Sequence, residues 1–191
     1  ASPFVAPGHL LVDDAAARRH PLDVAGGDGA AVAQAVGMID LAGFIKPRGN
    51  YRMAMWSDSP VTYIGTYRLT RGNRRGLSDS ALPLWNYTEG DTIRVVCYTN
   101  CPQSQLQLNG EPMGLPKNHD DNTGIISWDI PFKPGKLEVV GLKEGKEAAR
   151  FSIQTSGRSN TIIATADKTT LAGNKDLAHI TIQIVDREGV P

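Results

Sequence analysis

Apolar and polar residues alternate along residues 92–98. Ile93, Val95 and Cys97 fall on one face, Arg94 and Tyr98 on the other, the period-2 signature of a half-buried β-strand. Pro102 interrupts the run. Gln105, Leu106, Gln107 and Leu108 then alternate again, and Asn109-Gly110 follows, the dipeptide best suited to a two-residue type I′ hairpin turn. Residues 82–114 thus predict two strands with a turn on either side, read as the core hairpin of a β-sandwich. Residues 61–67 predict an earlier strand within a connector. Ile126, Trp128 and Ile130 share a face; residues 131–135, Pro-Phe-Lys-Pro-Gly, form a turn. Leu137 and Val139 alternate, Glu144-Gly145 marks a second hairpin, and Phe151 and Ile153 return inward, with Arg150, Ser152 and Gln154 outward. Residues 80–155 therefore read as the independently stable unit.

Upstream, Pro47 suits the first turn of a helix, where its missing N–H costs nothing. Tyr51 and Met55, with Arg52 and Trp56, follow at i, i+4 spacing, which predicts a short amphipathic helix weakened by Gly49. Downstream, residues 157–160 read as a linker. Ile180, Ile182 and Ile184 then share a face opposite His179, Thr181 and Gln183. Two strands cannot bury such a face alone.

Composition narrows the function classes. The 191 residues carry 20 Lys plus Arg against 20 Asp plus Glu, so no global field draws the chain to nucleic acid or to an anionic membrane. No apolar run approaches the roughly 20 residues that span a bilayer. The first residues show no signal peptide, and the last six, Asp-Arg-Glu-Gly-Val-Pro, read as a chain stopping inside a turn. Residues 1–36 are rich in Ala, Val, Gly and Asp. Their Gly26-Gly27-Asp28-Gly29 lacks the preceding strand and the spacing of a phosphate loop and reads as a surface loop. Residues 68–75 gather four arginines, read as a solvated loop rather than a nucleic-acid patch.

Candidate chemistry is sparse. Cys97 and Cys101 read as small apolar residues at a strand and its exit, with a local disulfide as the alternative. A metal site would need further ligands, and His9, His20, His119 and His179 are scattered without ligand spacing. No cofactor or metal is expected. Asp13-Asp14 and Asp120-Asp121 read as solvated turns, because adjacent side chains in a loop diverge. Aromatic faces can stack on sugars, so Trp85 and Tyr87 are the candidate carbohydrate-binding residues, beside a packing role for Trp85. Trp128 is expected in the core, and Trp56 against neighbouring core.

Three consecutive stretches carry a resemblance. The sequence GMIDLAGFIKPRGNYRMAMW, residues 37–56, resembles the last strand, loop and helix of the catalytic (β/α)8 barrel in glycoside hydrolase family 2. Leu-Trp-Asn-Tyr, Tyr-Thr-Asn-Cys and Gln-Leu-Gln-Leu-Asn-Gly-Glu-Pro-Met-Gly resemble the sandwich that follows that barrel in the family's β-galactosidases. Residues 162–191 resemble the opening strands of a further immunoglobulin-like domain. The resemblance implies a mainly β chain, an immunoglobulin-like antiparallel β-sandwich. Residues 1–56 would be the barrel's tail with a loop, 57–157 the sandwich, and 158–191 the first strands of a second β domain. It implies a non-catalytic part of an enzyme acting on β-linked sugars, because both catalytic glutamates of the family lie before residue 37. Such glycosidases need two carboxyl groups about 5–5.5 Å apart, and no matching context occurs here. The partners implied are the rest of the parent glycosidase and its carbohydrate substrate, in a periplasmic or secreted setting. A carbohydrate-binding module and an immunoglobulin-like interaction domain are the alternatives.

Overall fold

The computed structural model describes residues 37–191 except Leu41, Arg71, Asn73, Arg74, Arg75 and Asn174. The glycine-rich stretch at 26–29, the Asp13-Asp14 pair, His9, His20 and most of the arginine cluster lie outside the described residues. The described chain divides into two units, 37–155 and 156–191.

The first unit is an antiparallel β-sandwich with one helix. Helix α1 (Pro47–Trp56) starts on a proline, as expected, and ends where Ser57 N–H bonds to Met53 O. Strand β1 (Thr62–Arg68) pairs along its whole length with β2 (Thr92–Thr99), which pairs on its other edge with β6 (Ile125–Pro131). The second sheet has the order β4-β3-β7-β8, from β3 (Gln103–Leu108), β4 (Glu111–Pro112), β7 (Lys136–Lys143) and β8 (Lys146–Gln154), with β5 (Lys117–Asn118) also on β3. The main core lies between the sheets. It is built from Ile64, Ile93, Val95, Cys97 and Trp128 on one side and Leu106, Leu108, Leu137 and Val139 on the other. Each fully buried side chain of this size contributes about 1.5–3 kcal/mol.

Both predicted hairpin turns are present. Asn109 and Gly110 have φ of 54° and 84°, Glu144 and Gly145 of 54° and 74°, the two positive values that a type I′ turn needs. The assignment of β2 and β3 to one hairpin is corrected: they belong to different sheets, and the Asn-Gly turn joins β3 to the short β4. The half-buried reading of β2 is also corrected. Val96 and Tyr98 are fully buried, because a second apolar layer with Ala54, Tyr63, Tyr67, Ala81 and Ile125 covers the outer face of that sheet. A unit of residues 80–155 alone would lack β1, whose Tyr63, Ile64 and Tyr67 serve both layers.

Three tyrosines pin the 76–82 segment onto this outer face. Tyr98 Oη donates to Ser78 O and accepts from Ala81 N–H; Tyr63 Oη donates to Ala81 O; Tyr67 Oη accepts from Ser78 N–H. Burial raises the pKa of both Tyr63 and Tyr98, so these hydroxyls keep their protons. Gly65 permits the approach: a Cβ there would sit 2.5 Å from Ala81 O.

The second unit contains the antiparallel pair β9 (Thr161–Ala166) and β10 (Ile180–Val185). Ile180, Ile182 and Ile184 register with Ala166, Ala164 and Ile162, and the isoleucines of this face are exposed. Asp186 anchors its turn, accepting from Gly157, Glu188 and Val190 N–H.

Candidate functional site

Trp85 is 1% exposed, with Tyr87 and Phe132 against it edge-on at 6.1 and 5.2 Å, and its Nε1–H donates to Lys133 O. It has no free face for a sugar. Tyr87 is half-buried on the same core, its hydroxyl paired with Thr66 Oγ1 at 2.8 Å. The two sequence candidates are neighbours, but within the chain they serve packing. Trp128 is buried in the core as expected.

The carboxylates serve ion pairs and turns. Asp129 takes a two-pronged bond from Arg94, Asp79 pairs with Arg48, and Asp91 with Arg68. Asp120 closes its turn on Asn122 and Thr123. Glu138 is buried on the outer side of the second sheet beneath Lys136 and Arg150. The hydrogen bond from Lys136, with that from Arg150, holds its carboxyl below the usual glutamate range. Both cysteines are free and buried, and burial pushes the Cys97 thiol up to about 12. Among the described residues no group of three or more His, Cys, Asp or Glu is gathered as metal ligands.

What remains is a surface on α1 and the loop before it. The loop closes on Asp40, whose Oδ1 accepts from Ala42 and Phe44 N–H, and Ile39 bridges to Ile45. Met38 O accepts from Lys46 N–H and lies against Gly49, where a Cβ would stand 2.4 Å away. Gly49 is thus the residue that lets the loop lie on the helix, a role that helix propensity alone hides. On its other side α1 buries Ala54 and rests Tyr51 on Tyr98, with ring centroids 5.4 Å apart; Tyr51 Oη donates to Thr123 O.

Large apolar residues are turned outward here, beside the exposed Asp40. Met38, Ile39, Ile45, Met53, Met55 and Trp56 are all exposed, Trp56 to 67%. The expected stripe of Tyr51 and Met55 is therefore corrected: Tyr51 faces the sandwich, while Met55 is exposed, and Trp56 does not lie against the sandwich core. Trp56 is the one exposed aromatic among the described residues, and the Arg52 guanidinium lies 5.9 Å from its ring centroid.

A protein-family profile described as "Domain of unknown function (DUF4982)" matches residues 90–149. The chain is 30% identical over 155 residues to the β-galactosidase BoGH2A of Bacteroides ovatus, a match covering 80% of this chain and 16% of that protein. The structure is similar to that of a glycosyl hydrolase family 2 member from Bacteroides cellulosilyticus, with a TM-score of 0.70 and 30% identity over 81% of this chain and 22% of that one. A β-glucuronidase of the same family shares the fold at a TM-score of 0.63 and 21% identity, over 80% of this chain and 15% of that one. The chain thus spans less than a quarter of each of these relatives.

Proposed function

We propose, from the premise that this chain is a segment of the glycoside hydrolase family 2 type, that it is the non-catalytic support of a catalytic barrel. On this reading residues 37–56 are the tail of that barrel, 57–157 the supporting sandwich, and 158–191 the opening of a further β domain. The parent enzyme would act on β-linked sugars in the manner of a β-galactosidase. The sandwich fold recurs in a β-glucuronidase, so the choice of sugar is assigned to the parent's barrel and not to this segment.

The observation that carries the reading is the outward apolar set on α1 and its preceding loop. Exposed large apolar side chains gathered on one element mark a surface that another body covers. The same set weighs against the carbohydrate-binding alternative. A sugar platform needs free aromatic faces, and among the described residues Trp56 is the one exposed aromatic, with the Arg52 guanidinium 5.9 Å from its ring centroid.

The test is association with the catalytic barrel of the parent, produced as a separate polypeptide. Titration calorimetry should detect binding, and Met55→Lys with Trp56→Glu should weaken it at least tenfold. The chain alone should release no phenol from aryl β-galactosides or β-glucuronides. Binding to free oligosaccharides that survives the Trp56 substitution, with no affinity for the barrel, would replace this reading with the binding-module one.

A further inference from the structure

The connector between α1 and β1 is irregular, yet the backbone groups of Ser57, Ser59 and Val61 are paired. Four of these bonds come from two adjacent side chains at the exit of β2. Asn100 Nδ2 donates to Ser57 O and to Ser59 O, each at 2.8 Å, and Asn100 Oδ1 accepts from Val61 N–H at 2.8 Å. Thr99 Oγ1 donates to Val61 O at 2.8 Å. Ser57 Oγ adds a local turn, donating to Ser59 O and accepting from Ser59 N–H. Pro60, between them, has no N–H to satisfy. The residue before Asn100 and Thr99 is Tyr98, which meets Tyr51 of the helix. Three consecutive residues of β2 and its exit therefore hold both the helix and the chain leaving it.

We propose that Asn100 is the positioning residue of this joint: it fixes the path between α1 and β1, and so the direction in which α1 turns its apolar face. The proposal rests on the support reading for its consequence, since a supported barrel inherits whatever direction the joint sets. The geometry favours a side-chain amide here over other residues of similar size. Two carbonyls need two donors and one N–H needs an acceptor, and only Asn or Gln offers both from one planar group. Aspartate at the same place would set a carboxylate against the two carbonyls. Alanine would leave Ser57 O and Val61 N–H without this side-chain partner, and Ser59 O with Ser57 Oγ alone.

The experiment is amide hydrogen exchange on the whole chain, followed residue by residue. In the unaltered chain the Val61 N–H, held by Asn100 Oδ1, should be protected to the same degree as the amides of β1. A Val61 amide exchanging at the rate of a free peptide would overturn the proposal without any variant. Asn100→Ala and Asn100→Asp should each speed exchange of Val61 and of the α1 amides by at least about tenfold, while β3, β7 and β8 keep their protection. Dipolar couplings of α1 should turn relative to those of the second sheet. If α1 loses protection only in step with β7, the residue serves global stability alone and the proposal fails. If the joint behaves as proposed but the chain does not bind the barrel, the support reading fails and the joint stands.

Discussion

The side-chain amide of Asn109 fills the space in which a Cβ on Gly135 would stand. Its Oδ1 accepts from Lys136 N–H and its Nδ2 donates to Pro134 O, so the β3–β4 turn holds the β6–β7 turn. Gly135 also has φ of 130°, in the region that disfavours side chains. Asn109→Ala should cost about 1–3 kcal/mol through two lost hydrogen bonds. Gly135→Ala should cost about 2–4 kcal/mol, from strain plus collision. In the double variant the collision is gone, so the two costs should sum to more than the measured total. Urea melts of the four chains check this; strict additivity would mean the amide is not the obstacle.

Leu108 is buried, while Gln107 lies on the outer side of the same strand. Leu108→Ala should cost about 2–5 kcal/mol, and Gln107→Ala less than about 0.5 kcal/mol. Nothing lies within 4 Å of a Cβ on Gly110, so Gly110→Val should cost only the backbone strain, about 1–3 kcal/mol. Denaturant midpoints rank the three. Equal damage from Gln107 and Leu108 would mean that the strand's inner and outer faces are exchanged.

Glu138 sets a pH dependence. The folded state holds its carboxyl below the usual range, so the folded state prefers it ionised. Its contribution is fully present above the unfolded value of about 4.3 and is lost as the pH falls through the folded value. Glu138→Gln should therefore narrow the stability difference between pH 7 and pH 3 measured by urea melts. An unchanged difference would show that Lys136 and Arg150 do not favour the charged form.

The buried thiols should be silent. With the Cys97 thiol pushed up to about 12 and both sulfurs in the interior, thiol reagents at pH 8 should label neither Cys97 nor Cys101 until denaturant is added. Labelling within seconds in the native chain would contradict their placement.

Local signals in the sequence announced local features. Asn109-Gly110, Glu144-Gly145 and Pro47 each act within a few residues, and each lies where its chemistry placed it. Partnership across distance was not legible. Period-2 alternation tells which residues share a face, but not which strand lies alongside, so β2 and β3 read as one hairpin. Tyr98 read as an outward residue because its cover, Tyr51 and Ala81, comes from remote elements. Trp85, beside Pro83, read as a packing residue or a sugar platform; the choice turns on Phe132, just past the end of β6, which lies against its ring. Gly49 read as a weakness because its neighbour Met38 is visible only in three dimensions.

The double cover over the β1–β2–β6 sheet has a kinetic consequence. Its strands are joined to one another only through long connections, from Arg68 to Thr92 and from Thr99 to Ile125, whereas β7 and β8 meet across a two-residue turn. Closing a long loop costs entropy before any contact repays it. The β7–β8 hairpin is therefore the natural seed, and the central strand β2 is a late arrival, fixed only when chain from both sides of it has come home. Once there, it has no open edge and no open face, which would make the last piece to dock also the last to be released.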